Sequence, residues 1–145
     1  MEFDRLIKAF AEQMGAGDMS PEDGGHYLLT FDGRLNVRCL RAGKEKMIIS
    51  GKVGELPEDE RQTDDFLRRL LHINLARMKN QKEVLSIEPE DGRLILFRPV
   101  ATEEMSVERI MDIMEGFLEN MEFWCDTAGE QPKTAPHPFF PMMFP

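Results

Sequence analysis

The chain is poor in cysteine: two in 145 residues, Cys39 and Cys125. Cys39 falls on the inward alternation of a predicted strand and Cys125 ends a predicted helix. Both read as reduced, buried, small hydrophobes in a cytoplasmic protein, with no secreted context to support a disulfide. Positive charge is also short, with 18 Lys and Arg against 27 Asp and Glu, for a formal charge of −9. Without a basic stripe to neutralise phosphates, nucleic acid is excluded as a partner, and so is an anionic membrane surface. A basic or polar polypeptide would suit this charge. No apolar run approaches the ~20 residues that span a bilayer, and the chain opens on charged amphipathic sequence, not a signal peptide.

The side chains of catalysis are equally sparse. His26, His72 and His137 lie far apart, and His72 falls on the polar side of a helix. No Cys/His cluster has zinc spacing, and no Gly-rich loop joins a strand to a helix as a phosphate cradle would. Ser50 and Ser106 have no elbow around them. The paired acids Asp64-Asp65 and Glu103-Glu104 sit at helix starts, where the helix dipole accounts for them. The expectation is a protein with no metal and no cofactor that is not an enzyme.

What is present is an ordinary globular balance, 41% hydrophobic and 31% charged, sized for one domain. Eleven methionines suit irregular packing or adaptable surfaces. Phe3, Leu6, Ile7, Phe10 and Met14 recur at helical spacing, and Gly15-Ala16-Gly17 stops that helix before a loop at residues 20–25. Three strands follow at about 26–31, 34–41 and 46–53, turning at Asp32-Gly33 and at Ala42-Gly43-Lys44. A helix over 63–80 with Thr63 as N-cap comes next, then a hairpin of 83–88 and 93–98 about Pro89-Glu90-Asp91-Gly92. A last helix over 106–125 carries Val107, Ile110, Met111, Met114, Phe117, Leu118, Met121 and Trp124 on one face. The order α-β-β-β-α-β-β-α gives class α+β, a twisted antiparallel sheet with helices. Residues 1–125 form the domain, and 126–145 a Pro-rich, flexible tail. Leu28, Leu40, Ile48, Ile95 and Phe97 fall on the nominally outer face of the strands, as apolar footholds for an incoming chain.

The helix over 63–80 has too much apolar surface for one neighbour. Phe66, Leu67, Leu70, Leu71, Ile73, Leu75 and Met78 sweep an arc of about 200°, where lying on one core needs little more than about 100°. In the middle stands Asn74, an amide that needs hydrogen-bond partners if buried and a known device for fixing register and partner number. A second copy is the cheapest cover. The expectation is a homodimer through this helix, with Phe66, Leu67, Leu70, Leu71, Asn74, Leu75 and Met78 at its interface.

Five local patterns, in order over residues 1–125, resemble the Tir-chaperone (CesT-like) family, the class I chaperones of bacterial type III secretion. Phe31-Asp32-Gly33-Arg34-Leu35-Asn36-Val37 is similar to the family's first turn, and Val53-Gly54-Glu55-Leu56-Pro57 to its exit from the third strand. Leu70-Leu71-His72-Ile73-Asn74-Leu75 resembles its second helix, Asp91-Gly92-Arg93-Leu94 its second hairpin, and Phe117-Leu118 with Phe123-Trp124 its closing helix. Ile73 replaces a usual small residue, Cys125 stands where a basic residue often follows Trp, and the tail lies outside the pattern.

The resemblance implies a cytoplasmic homodimer that binds the N-terminal segment of one or more secreted effectors. The client is held extended and export-competent and is stripped off at the secretion ATPase. Its backbone would add to a sheet edge while apolar side chains enter pockets, with Phe10, Leu28, Leu40 and Ile48 as client-binding footholds. The apolar end of the tail, Phe139-Phe140-Pro141-Met142-Met143-Phe144-Pro145, is expected to plug an apolar groove and mimic client. The alternative function is a dimeric non-secretion adaptor of the same fold that binds a folded protein partner.

Overall fold

The computed structural model describes residues 3–14, 19–22 and 25–129. Helix α1, Phe3–Met14, buries Phe3, Leu6, Ile7 and Phe10 of the stripe read from its spacing, together with Ala11, whereas Met14 of that stripe is exposed. Strand β1, Met19–Glu22, then pairs antiparallel with β2, His26–Phe31. Residues 20–22 were expected in a loop, because Ser20-Pro21-Glu22 has no apolar alternation. They form an outermost strand, where one ladder suffices and a residue without an N–H is tolerated.

Strands β2, β3 (Leu35–Arg41) and β4 (Lys46–Glu55) make the expected antiparallel meander. The first turn uses Asp32 and Gly33, both at positive φ (54° and 67°), closed by the Arg34 N–H donating to the Phe31 carbonyl at 3.1 Å. Asp-Gly is the pair that reaches this conformation at least cost. Strand β6, Arg93–Ala101, pairs with β4 along its whole length, with a register shift between Lys52 and Gly54, and β5, Val84–Ile87, adds to the outside of β6. Among the described residues the sheet has six strands in the order β1-β2-β3-β4-β6-β5.

Helix α2 spans Glu60–Arg77 and starts earlier than its expected cap. Asp59, not Thr63, is the N-cap: its carboxylate accepts from the Gln62 N–H at 3.1 Å, while Thr63 donates its hydroxyl to the Pro57 and Asp59 carbonyls. A carboxylate ahead of Glu60 satisfies orphan N–H groups that a threonine one turn later cannot reach. The helix also ends before the expected Asn80, with Met78 as its C-cap. Helix α3, Val107–Gly129, is capped by Ser106, whose Oγ accepts from the Arg109 N–H. It runs past the expected end at Cys125 because Thr127 and Ala128 are buried. The helix therefore reaches Gly129, and the rest of the expected tail lies outside the described residues.

One core holds the molecule together. Its members are the inward-facing strand residues, among them Leu29, Val37, Cys39, Met47, Ile49, Leu94 and Leu96, together with α1, Phe66 and Leu70 of α2, and Ile110, Phe117, Met121 and Trp124 of α3. The three helices among the described residues thus lie on one face of the sheet, and no described helix lies on the other. At Gly54 the backbones of α3 and β4 come close: a Cβ there would stand 2.8 Å from the Ala128 Cβ. Gly54→Ala is expected to cost about 1–3 kcal/mol through overpacking, read by urea unfolding followed on Trp124. The pair Gly54→Ala with Ala128→Gly should recover part of that loss.

Candidate functional site

The arc on α2 divides in two. Phe66 and Leu70 are 5% and 2% exposed and belong to the protomer's own core, so they are not free for a partner, contrary to expectation. They lie on the sheet side of a wheel that sequence periodicity alone cannot orient. Leu67 and Asn74 are half-buried. Leu71, Leu75 and Met78 point outward at 64%, 68% and 59% exposure. Six large hydrophobic side chains are exposed among the described residues, and five of them are these three plus Val84 and Ile87. The last two stand on β5, the outermost strand reached directly from the end of α2. The uncovered apolar surface is therefore concentrated on one helix stripe and the strand that follows it.

A polar cluster ties that stripe to the body. Gln81, between α2 and β5, donates to Asn74 Oδ1 at 3.3 Å and to the Glu83 carbonyl at 3.1 Å, and accepts from Trp124 Nε1 at 3.3 Å. The Glu83 carboxylate is buried, accepts from Asn120 Nδ2 and lies 3.5 Å from Arg98 Nη1. Arg77 donates to Asn120 Oδ1 at 2.8 Å and stacks 3.6 Å over the Phe123 ring. Asn74 thus finds a partner in its own chain. Nothing in the sequence marked Gln81 or Glu83 as buried, because both are polar and stand at the junction between the expected helix and the expected hairpin.

The helix-free sheet face carries the other expected footholds. Leu28, Leu40 and Ile48 are half-buried there, with Ile95 and Phe97 on the same side. A depression of about 450 Å³ on this face is lined by His26, Arg38, Leu40, Ser50, Arg93 and Ile95, among others. Phe10 is a correction: it is fully buried, with its ring 6.5 Å from that of Phe31, and offers no surface to a client. Its place at the centre of the α1 stripe fixed that outcome.

The family model of the Tir chaperone protein (CesT) family matches residues 5–125. The chain belongs to this family. No curated protein sequence matches the chain. Among solved structures, this CesT-family chain is similar to one in the ExsC–ExsE complex, at 20% identity and a TM-score of 0.65, covering 91% of this chain and 95% of that one. It is similar to one in the HopA1–SchA chaperone–effector complex, at 20% identity and 0.65, covering 86% and 93%. A third likeness, at 14% identity and 0.61, covering 83% and 96%, is to the heterodimeric ExoU–SpcU complex from the type III secretion system of Pseudomonas aeruginosa. These identities show a shared fold.

As a member of a chaperone family, the protein works by binding, not by catalysis. Among the described residues no group of three or more His, Cys, Asp or Glu is placed to hold a metal, and no helix is long and apolar enough to cross a membrane. Cys39 and Cys125 are free thiols. Burial pushes the Cys39 thiol up to about 12. Cys125 is half-buried, short of the full burial expected, and its thiol is raised by that burial and by the nearby Asp126 and Glu122 charges. The thiolate is the reactive form. Iodoacetamide at pH 8 is therefore expected to leave Cys39 untouched and to alkylate Cys125 slowly, with both reacting once the chain is unfolded. Mass spectrometry of tryptic peptides reads the outcome; fast labelling of Cys39 in the native protein would contradict it.

Proposed function

We propose that this CesT-family chaperone is a cytoplasmic homodimer that holds the N-terminal segment of one or more type III secreted effectors in an extended, export-competent state and hands it to the secretion ATPase. The observation that carries the reading is the pairing of two surfaces in one family member. Leu71, Leu75 and Met78 of α2 with Ile87 of β5 form an uncovered stripe, and the sheet face that carries Val84 beside Phe97 has no described helix on it. The stripe suits a second copy. The sheet face, with Leu28, Leu40 and Ile48, suits the alternate apolar side chains of an extended chain. The outermost strand β1 offers backbone groups to such a chain. Ordering a disordered client costs ~2–5 kcal/mol or more, offset by contact over ~1,000–3,000 Å². Two copies present twice the area of one.

The test uses the N-terminal fragments of the proteins encoded beside this chain, co-expressed with it. A fragment that co-purifies should be protected from amide exchange only where it touches the chaperone, and Leu40→Asp with Ile48→Asp should weaken its binding at least tenfold with no change in the chaperone's own mass. A bound fragment that is folded and uniformly protected would overturn the reading.

A further inference from the structure

Two side-chain amides stand in series between the body and the α2 stripe, and their neighbours fix how both are turned. Trp124 is fully buried, and its indole N–H can only donate. It donates to Gln81 Oε1 at 3.3 Å, so Gln81 Nε2 faces the other way. There Nε2 donates to the Glu83 carbonyl at 3.1 Å and to Asn74 Oδ1 at 3.3 Å. A carbonyl can only accept, so both ends of the Gln81 amide are held by groups of fixed polarity. Asn74 must therefore turn its oxygen towards Gln81. Its Nδ2, with two hydrogens to donate, turns away from Gln81, and no described residue accepts from it.

The position of Asn74 decides what that donor meets. On a wheel of roughly 100° per residue, Asn74 lies about 40° from the core-facing Leu70 and about 40° from the outward Met78. It is half-buried at the border of the uncovered stripe of Leu71, Leu75 and Met78. Whatever covers the stripe also covers the Nδ2 donor, and a covered donor without an acceptor is costly. The cover must bring an acceptor to this point.

A second copy brings one. Asn74 Oδ1 has two lone pairs and Gln81 takes one, so the amide that must donate can also accept. Charge favours a copy lying antiparallel. Glu60, Asp64 and Asp65 are exposed in the first turns of α2, and Lys79 and Lys82 are exposed just beyond its end. A two-fold axis across the helix sets these unlike ends together. The apolar stripe runs from the half-buried Leu67 to Met78, and Asn74 stands less than half a turn from its middle. A two-fold axis through that middle brings the two amides within about 5 Å along the helices.

We propose that Asn74 pairs with the second copy's Asn74 across the α2 stripe, each Nδ2 donating to the other's Oδ1. Gln81, itself held by Trp124, is the positioning residue that presets the amide for this pairing. The inference rests on the homodimer proposed above and adds the polar contact by which the stripe accepts its own kind and disfavours a purely apolar partner.

The test is subunit exchange between isotope-labelled and unlabelled full chains, read by native mass spectrometry. Parent chains should mix at random. Asn74→Leu can pair with itself through apolar surface, but mixed with the parent it leaves one amide without its acceptor. That penalty corresponds to about a tenfold bias, so mixed dimers should fall to about a tenth of the total. Random mixing of Asn74→Leu with the parent would overturn the amide pair and leave the dimer standing; a monomeric parent would overturn both. In the parent dimer, the Asn74 Nδ2 protons should exchange with water at least about tenfold more slowly than in a monomer made by Leu71→Asp with Leu75→Asp. Equal exchange would also overturn the pair.

The role of Gln81 is read by a double-mutant cycle. Gln81→Glu still accepts from Trp124 but cannot donate to Asn74, so the Asn74 amide turns over and sets oxygen against oxygen at the seam. The dimer dissociation constant should rise about tenfold in the parent background. In the Asn74→Leu background, with no amide at the seam, it should change less than about twofold. An equal loss in both backgrounds would make Gln81 a structural residue only and overturn its positioning role.

Discussion

Leu71→Asp combined with Leu75→Asp is expected to raise the dimer dissociation constant by about a thousandfold or more and to abolish client retention with it. Both side chains are exposed in the single chain, at 64% and 68%, so a carboxylate at either site is harmless to the isolated protomer. In a two-fold dimer each substitution appears twice at the same interface. Burying an unpaired carboxylate costs several kcal/mol, and about 4 kcal/mol already corresponds to a thousandfold change in dissociation constant. Sedimentation equilibrium should report a mass of 16.7 kDa for the variant and twice that for the parent at the same concentration. Circular dichroism should show the secondary structure intact. An effector fragment held by the monomeric variant with undiminished affinity would contradict the mechanism, because the client would then need only one copy's surface.

The second large effect is expected at Glu83. Its side chain is 3% exposed and Arg98, 3.5 Å away, is 19% exposed, so both charges are largely withdrawn from water and lean on one another, with Asn120 also donating to Glu83. Glu83→Leu leaves the Arg98 guanidinium facing apolar surroundings without its carboxylate. Breaking one side of a buried pair costs about 3–5 kcal/mol, whereas replacing both sides with apolar residues is often neutral. The single variant should therefore lose most of that amount in urea unfolding, and Glu83→Leu with Arg98→Met should regain most of it. Because Gln81 and Glu83 hold the segment between the α2 stripe and β5, the single variant should also dimerise more weakly than the double. A double variant as unstable as the single would mean that Glu83 acts through Asn120 and the local backbone instead of through Arg98.

The sequence showed most of the frame. The strands from β2 to β6 and the helices α1, α2 and α3 stood where apolar periodicity put them, apart from the ends of α2 and α3, and Asp32-Gly33 marked its turn by the one property that matters there, a tolerance for positive φ. The family followed from short patterns in the right order. What periodicity could not show was which side of a wide arc faces inward. Phe66 and Leu70 look the same as Leu71 and Leu75 on a helical wheel, and only the position of the sheet separates them. Phe10 was read as a foothold although it stands in the middle of the α1 stripe, the place in a helix most certain to be covered. Strand β1 escaped notice because an outermost strand needs only half the backbone pairing and no apolar alternation. The Gln81–Glu83 cluster was illegible, since its members become a buried network only when α3 brings Asn120 and Trp124 against them.

Under the proposed function the stripe on α2 and β5 is the surface that a second copy would cover. The direct test is native mass spectrometry of the chain purified with an effector's N-terminal fragment. Two chains with one fragment, the fragment open to protease beyond the segment in contact, is the expected result. One 16.7 kDa chain bound to one compact, protease-resistant partner would contradict the account and favour an adaptor for folded proteins.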